Sequence, residues 1–312
     1  MKVLILGGGG TLGAFSAGAL RALEEHGYRP DVMIGSSAGG INLLRTLVGG
    51  PSEATKFWCS FAKLRTLLRG VIHGRNFSEG LLDARWFRAR VEDGVDFEAM
   101  MRDPRELAFL VVDMKTGRVD VRGNRTEKTA EALRAVSRAA YALPPLLPPV
   151  ELGDAMLADG GLLHNAPLNA AVKLGATEIV YLCNVHTIPR AGFVKSSTAR
   201  SMWRYAEIFF RRASNVGFAD AELVDGRFRG VPFLAITPPA TLGFGSVVRW
   251  MLPRVDAASH LIDTGYESAR AALANWTPYD GVAPLSIDDQ SALRSEIRAV
   301  ERSNGHQHAS VR

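Results

Sequence analysis

Cysteine is scarce in this chain. Of 312 residues only Cys59 and Cys183 are cysteines, and they lie far apart in the sequence. That excludes a disulfide framework and any Cys-based metal site, and it predicts two reduced thiols in a cytoplasmic protein. Long apolar runs are absent as well. No stretch approaches the ~18 residues a membrane-spanning helix needs, and the apolar run after Lys2 is only Val3 to Leu6 before four glycines end it. A secretory leader needs a run roughly twice as long. The expectation is a soluble protein, with room left for peripheral contact with a membrane. Basic clusters are also lacking: 37 Lys and Arg against 32 Asp and Glu leave a net charge of +5, spread without a run of five. Such a pattern argues against nucleic acid as a partner.

What the chain does have is an ordinary globular composition, 47% apolar and 22% charged, enough for one large core. Val3–Leu6 reads as a buried strand. The glycines after it open a helix to about Glu25, with Leu12, Phe15, Ala19 and Leu23 at helical spacing. Gly27 closes it. Val32–Ile34 is the next strand, followed by a helix from Ala38 to about Val48 that Gly49, Gly50 and Pro51 should stop. Strand, helix, strand, helix is the start of a largely parallel α/β sheet.

Further on, Phe57, Trp58, Phe61, Trp86 and Phe87 sit at spacings that suit core positions on helices. "LAFLVVDM" and "VDVRG" read as two strands about a turn at Thr116 and Gly117. Ala130, Leu133, Val136 and Ala140 mark the inner face of another helix, and the prolines of 143–150 end it. A strand through Ala158 runs to Asp159, Pro167 starts a short helix, and 178–185 is a buried strand. Segments 195–220 and 256–275 look helical. No internal repeat or second domain is evident, and the polar end, residues 276–312, is expected to be a mobile tail.

Three stretches carry chemistry. Gly35-Ser36-Ser37-Ala38-Gly39 fits G-x-S-x-G, in which small neighbours let a serine occupy a sharp strand-to-helix turn. Ser37 is the nucleophile of that pattern, with Gly35 and Gly39 making the elbow. Gly7 to Gly10 follow the first strand and could turn backbone N–H groups toward an oxyanion. Gly8, Gly10 and Gly13 also match the dinucleotide fingerprint G-x-G-x-x-G. That reading wants an acidic residue at the end of the second strand, and here the strand ends in Gly35 and Ser36, with Asp31 at its other end. Asp159, Gly160 and Gly161 place a carboxylate at a third strand end. Seven histidines are present, His26, His73, His164, His186, His260, His306 and His308, and none lies in a catalytic signature. His164 is the nearest to a candidate, and a cap or surface role suits it better. No His/Asp/Glu cluster has metal-ligand spacing, so neither metal nor cofactor is expected.

"GGGTLG", "GSSAG" and "DGG", in that order and at those strand ends, resemble the patatin-like phospholipase family. "FSEGLLD", "DMKTG", "SRAAYALPPLLPPV", "DGGLLHNAPL" and "GATEIV" extend the similarity over residues 1–275. The resemblance implies a three-layer αβα fold with a mostly parallel central sheet and a Ser-Asp dyad without histidine. Ser37 would be the nucleophile, Asp159 the base, and the backbone of Gly8, Gly9, Gly10 and Thr11 the oxyanion hole. It implies hydrolysis of fatty-acyl esters, with a lipid as substrate and no metal. A catalytically silent lipid-binding protein of the same fold is the alternative. One departure stands out: Leu12 occupies a position where the family usually carries Arg or Lys. A further segment, 241–255, gathers Leu242, Phe244, Val247, Val248, Trp250, Met251 and Leu252 with Arg249 and Arg254. It reads either as core or as an interfacial lid.

Overall fold

The computed structural model describes residues 1–61, 80, 82–185, 208, 223–224, 226–239, 255–274 and 276. Ten strands form one sheet in the order β5-β6-β3-β2-β1-β7-β10-β9-β8, with β4 also paired to β3. Strands β1 (Lys2–Leu6), β2 (Val32–Gly35), β3 (Glu106–Asp113), β7 (Glu178–Leu182) and β10 (Val231–Ile236) form the parallel centre. The edges are antiparallel: β4 (Val119–Gly123), β5 (Val150–Leu152) and β6 (Ala155–Asp159) on one side, β8 (Leu223–Val224) and β9 (Arg227–Phe228) on the other.

The central strands are apolar on both faces, as a doubly covered sheet requires. Leu4 and Leu6 of β1 join one core cluster, and Val3 and Ile5 join the other. The first cluster is thick. It is built with helices α1 (Gly13–Glu25), α2 (Ala38–Gly49), α3 (Pro51–Phe61), α4 (Ala84–Glu92), α5 (Phe97–Met101), α6 (Ala130–Ala139) and α8 (Val255–Ala274). Among the described residues, the second cluster is covered by the short helix α7 (Leu168–Lys173), through Leu168 and Ala171. The fold is therefore mixed α/β with helices flanking a mostly parallel sheet.

Most elements fall where the residue pattern places them. Phe57, Trp58, Phe61 and Phe87 are buried and touch ring to ring in a chain that ends on Tyr141. Two local readings change. Helix α1 is buried on nearly every side from Gly13 to Leu20, not along one stripe, because α8, α3 and the sheet all pack on it. Leu12 precedes the helix, in a short 3-10 turn from Gly10 to Leu12. Gly50 does end α2, at φ 74°, but Pro51 at once begins α3, since proline suits the first turn of a helix. The segments 195–207, 209–222 and 241–254, including the suggested lid, and the tail from 277 lie outside the described residues.

Helix α8 meets α1 at a close crossing. A Cβ at Gly18 would overlap the Ile262 carbonyl, and one at Gly265 would overlap that of Phe15. Beyond α8, the Trp276 ring lies 6.4 Å from that of Tyr28.

Candidate active site

Strand β3 is longer than its parallel neighbour, and this brings the site together. Its residues Ala108 to Val112 pair with β4 along one side. Phe109 also pairs with Gly35 of β2, and Val111 with Asp159 of β6. A strand has two hydrogen-bonding sides, so β2 and β6 must share the side that β4 leaves. Parallel β2 ends at Gly35, and antiparallel β6 comes from the opposite direction to end at Asp159. Their ends face each other across about two residues of β3, roughly 7 Å. Ser37 and Asp159 are thus delivered by strands that meet end to end.

Ser37 begins α2 with φ 50° and ψ −124°. This is a left-handed backbone at a residue with a side chain, the strain expected of a nucleophile turn. The turn survives because its neighbours are small. A Cβ at Gly39 would overlap the Leu6 carbonyl at the end of β1. The Ser37 N–H donates to the Ala140 carbonyl at 2.7 Å, and the Asp159 N–H to that of Ala142 at 2.9 Å. The chain leaving α6 therefore holds both residues by their backbones.

The Asp159 carboxylate is buried and accepts a 2.8 Å hydrogen bond from the Gly161 N–H, and the Ser37 hydroxyl also favours its ionised form. Burial dominates and raises its pKa from 3.8 to about 7, against the Gly161 and Ser37 interactions that lower it. His164 lies close in sequence but plays no such part. It is half-buried, its N–H donates to the Gly160 carbonyl at 3.0 Å, and burial holds its pKa below the usual value. No side-chain hydrogen bond joins it to Ser37 or Asp159. His26 and His260 are exposed, and His73, His186, His306 and His308 lie outside the described residues.

The glycine loop after β1 packs on the serine turn: a Cβ at Gly8 would sit 2.8 Å from that of Ser37. The Gly8 N–H, however, does not face open space. It donates to Asn165 Oδ1 at 2.6 Å, which removes Gly8 from the amides able to meet an oxyanion. The half-buried Gly10, at φ 57°, has an N–H without an acceptor among the described residues. The α1 N-terminus follows at Gly13, so two helix N-termini converge here. Leu12 is half-buried and packs against both core clusters.

Two asparagines went unnoticed in the sequence. Asn165 accepts from both Gly8 and the Ser36 hydroxyl. Asn184, buried just past β7, donates to the Gly7 carbonyl at 2.7 Å and accepts the Ser16 hydroxyl at 2.6 Å. A signal did exist. A polar side chain closing an apolar run such as "YLCNV" must find buried partners, although the pattern alone does not say which. Among the described residues, no group of three or more His, Cys, Asp or Glu is placed to hold a metal ion. Nor, among those residues, is any helix long and apolar enough to cross a membrane.

Residues 4–172 match the family model described as patatin-like phospholipase. A patatin-like phospholipase domain-containing protein of Caenorhabditis elegans is 27% identical over 209 residues, covering 64% of this chain and 15% of that protein. Lysophospholipase NTE1 of Candida albicans is 28% identical over 189 residues, 57% of this chain and 12% of its own. The matched region is thus a small part of those much longer proteins. Among solved structures, VipD from Legionella pneumophila aligns at 13% identity with a TM-score of 0.42, covering 88% of this chain and 66% of that one.

Proposed function

As the chain belongs to the patatin-like phospholipase family, we propose that its 1–275 region hydrolyses fatty-acyl esters of phospholipids or related lipids through Ser37 and Asp159. The observation that carries this reading is the strained Ser37 turn brought by β2 to the end of β6, where a buried carboxylate has its pKa raised to about 7.

Ionised Asp159 takes the Ser37 hydroxyl proton as Oγ attacks the ester carbonyl carbon. A carboxylate is ordinarily too weak a base for an alcohol. Burial narrows the gap from the base side, and the α2 N-terminus favours the developing alkoxide. The carbonyl oxygen becomes an oxyanion and meets the amides of the Gly9–Thr11 loop, with Gly10 the donor the geometry favours. Collapse expels the alcohol, which takes its proton from Asp159 and leaves an acyl-Ser37. Water then gives a proton to Asp159 and attacks the acyl carbon, releasing the fatty acid and restoring both side chains. With Leu12 at the loop, the phosphate of a head group finds no cation at that position, which puts a head-group preference in doubt.

A fluorophosphonate should label the wild-type protein at Ser37 and leave Ser37→Ala unlabelled. That variant should lose at least about a thousandfold in turnover across a panel of phospholipid, lysophospholipid and short-chain ester substrates. Labelling that maps to Ser36, or turnover that survives Ser37→Ala, would remove this reading.

A further inference from the structure

Asn165 sits at the meeting point of the three chemistry-bearing stretches. It is fully buried, as is Ser36. Its Oδ1 accepts the Gly8 N–H at 2.6 Å and the Ser36 hydroxyl at 2.7 Å. Gly161 lies against the same atoms, where a Cβ would stand 2.7 Å from Ser36 Oγ and 3.0 Å from Asn165 Oδ1. The side-chain orientation is chemically determined, because a backbone N–H can only donate and so must face the oxygen.

The start of the glycine loop is held to β7 and the residues after it, the Gly7 N–H on the Leu182 carbonyl at 2.9 Å and Asn184 on the Gly7 carbonyl at 2.7 Å, whereas Gly8 is held by Asn165. The serine turn has its own anchors. The Ser36 N–H donates to the Leu6 carbonyl at 3.0 Å, and Ser37 is tied to Ala140. We propose that Asn165 is a positioning residue that locks the glycine loop to the serine turn through Gly8 and Ser36, so that the oxyanion donors keep their distance from Ser37 Oγ. This deepens, and rests on, the Ser37–Asp159 reading. By holding the Gly8 N–H, Asn165 also sets where the oxyanion hole begins, turning the next amides of the loop toward the substrate. Ser36 is then a strut rather than a second nucleophile. A shift of about 1 Å in such donors is enough to cost a hundredfold in rate.

The test measures kcat and KM on a soluble short-chain ester, with melting temperature, for wild type, Asn165→Ala, Asn165→Asp, Ser36→Ala, the Ser36→Ala/Asn165→Ala pair and Ser37→Ala. Asn165→Ala should lower kcat by about a hundredfold while KM moves by less than about threefold, because substrate binding is not what the lock provides. Asn165→Asp keeps an oxygen for both donors and should recover at least about tenfold of that loss. Ser36→Ala removes one of the two bonds and should lower kcat by about three- to tenfold, and the double variant should be no worse than Asn165→Ala alone.

Asn165→Asp as impaired as Asn165→Ala, a loss appearing in KM or tracking the unfolded fraction, or effects of the two sites that simply multiply would each overturn the proposal. Should Asn165→Ala not fold, Ser36→Ala decides: an unchanged kcat overturns the lock. Ser37→Ala separates the two levels. Turnover that survives it overturns the dyad, whereas an inactive Ser37→Ala beside a fully active Asn165→Ala overturns only the role of Asn165.

Discussion

The chain uses the same steric device at two places, and the results differ. Where α1 crosses α8, Gly18 and Gly265 let main chains touch, each occupying space that a Cβ would take from the partner's backbone. At the serine turn, Gly39 does the same against the end of β1. The helix crossing brings together apolar groups: Phe15, Ala19, Leu261, Ile262 and Ala269 are all buried there. Only its rim is polar, where the Tyr266 hydroxyl donates to Glu25. The serine turn brings together a strained residue, a buried carboxylate and a closely packed glycine loop. Close approach stabilises the first region, whereas in the second it holds an arrangement that burial and strain oppose. The contrast separates where the molecule gains stability from where it gives some up for reactivity.

The sharpest way to break this comparison is Asp159→Asn. It preserves shape and removes the base, so turnover should fall by about a thousandfold with the fold intact. Stability should move the other way. The folded pKa of about 7 lies above the unfolded value of 3.8, so between those values the folded state binds the proton more tightly. Stability therefore falls as pH rises through that window, and the deficit persists above it, up to about 4 kcal/mol. At pH 8 Asp159→Asn should melt higher than wild type, and at pH 4 the difference should shrink. In the wild type, kcat/KM should rise with pH to a plateau about a midpoint near 7, where Asp159 ionises. A variant both inactive and less stable at pH 8 would show that the buried charge carries no such cost.

Gly265→Ala probes the other region. The added methyl must push the Phe15 backbone away, and thermal denaturation should show a loss of about 3 kcal/mol, or roughly 6–12 °C in Tm. Below the transition, kcat per folded molecule should stay near wild type. A kcat that falls before the protein melts would mean that the two regions are coupled through α1.

The smallest effect is expected at His164. With its ring unbonded to Ser37 or Asp159, His164→Ala should change kcat by less than about threefold and stability by about 1 kcal/mol. A kinetic loss equal to that of Asp159→Asn would replace the dyad with a triad.

Much of this arrangement was legible beforehand, and the reasons are local. A run such as "KVLIL" is a strand because its apolar side chains fill both faces, and "GSSAG" is a sharp turn because small residues permit it. Each stretch says this about itself. What could not be read was which separate stretches meet. Gly8 reads as an oxyanion donor until Asn165, 157 positions away, accepts its N–H. Leu12 reads as the first turn of a helix face until the preceding glycines draw it into a 3-10 turn. The carbonyls of Ala140 and Ala142 carry no sequence signal at all, since every residue has one.

Taken by itself, the sequence determined the α/β class, the strand-end positions of Ser37 and Asp159 and the absence of a histidine signature, because periodicity and turn chemistry depend on neighbours within a few residues. The tertiary structure alone decided that β2 and β6 end against each other along one side of β3, that Asp159 is dry enough to titrate near neutrality, and that Asn165 takes up the Gly8 N–H. Burial, and the choice of partner for a hydrogen-bonding group, are set by what packs around it, and here those groups come from stretches more than a hundred residues apart.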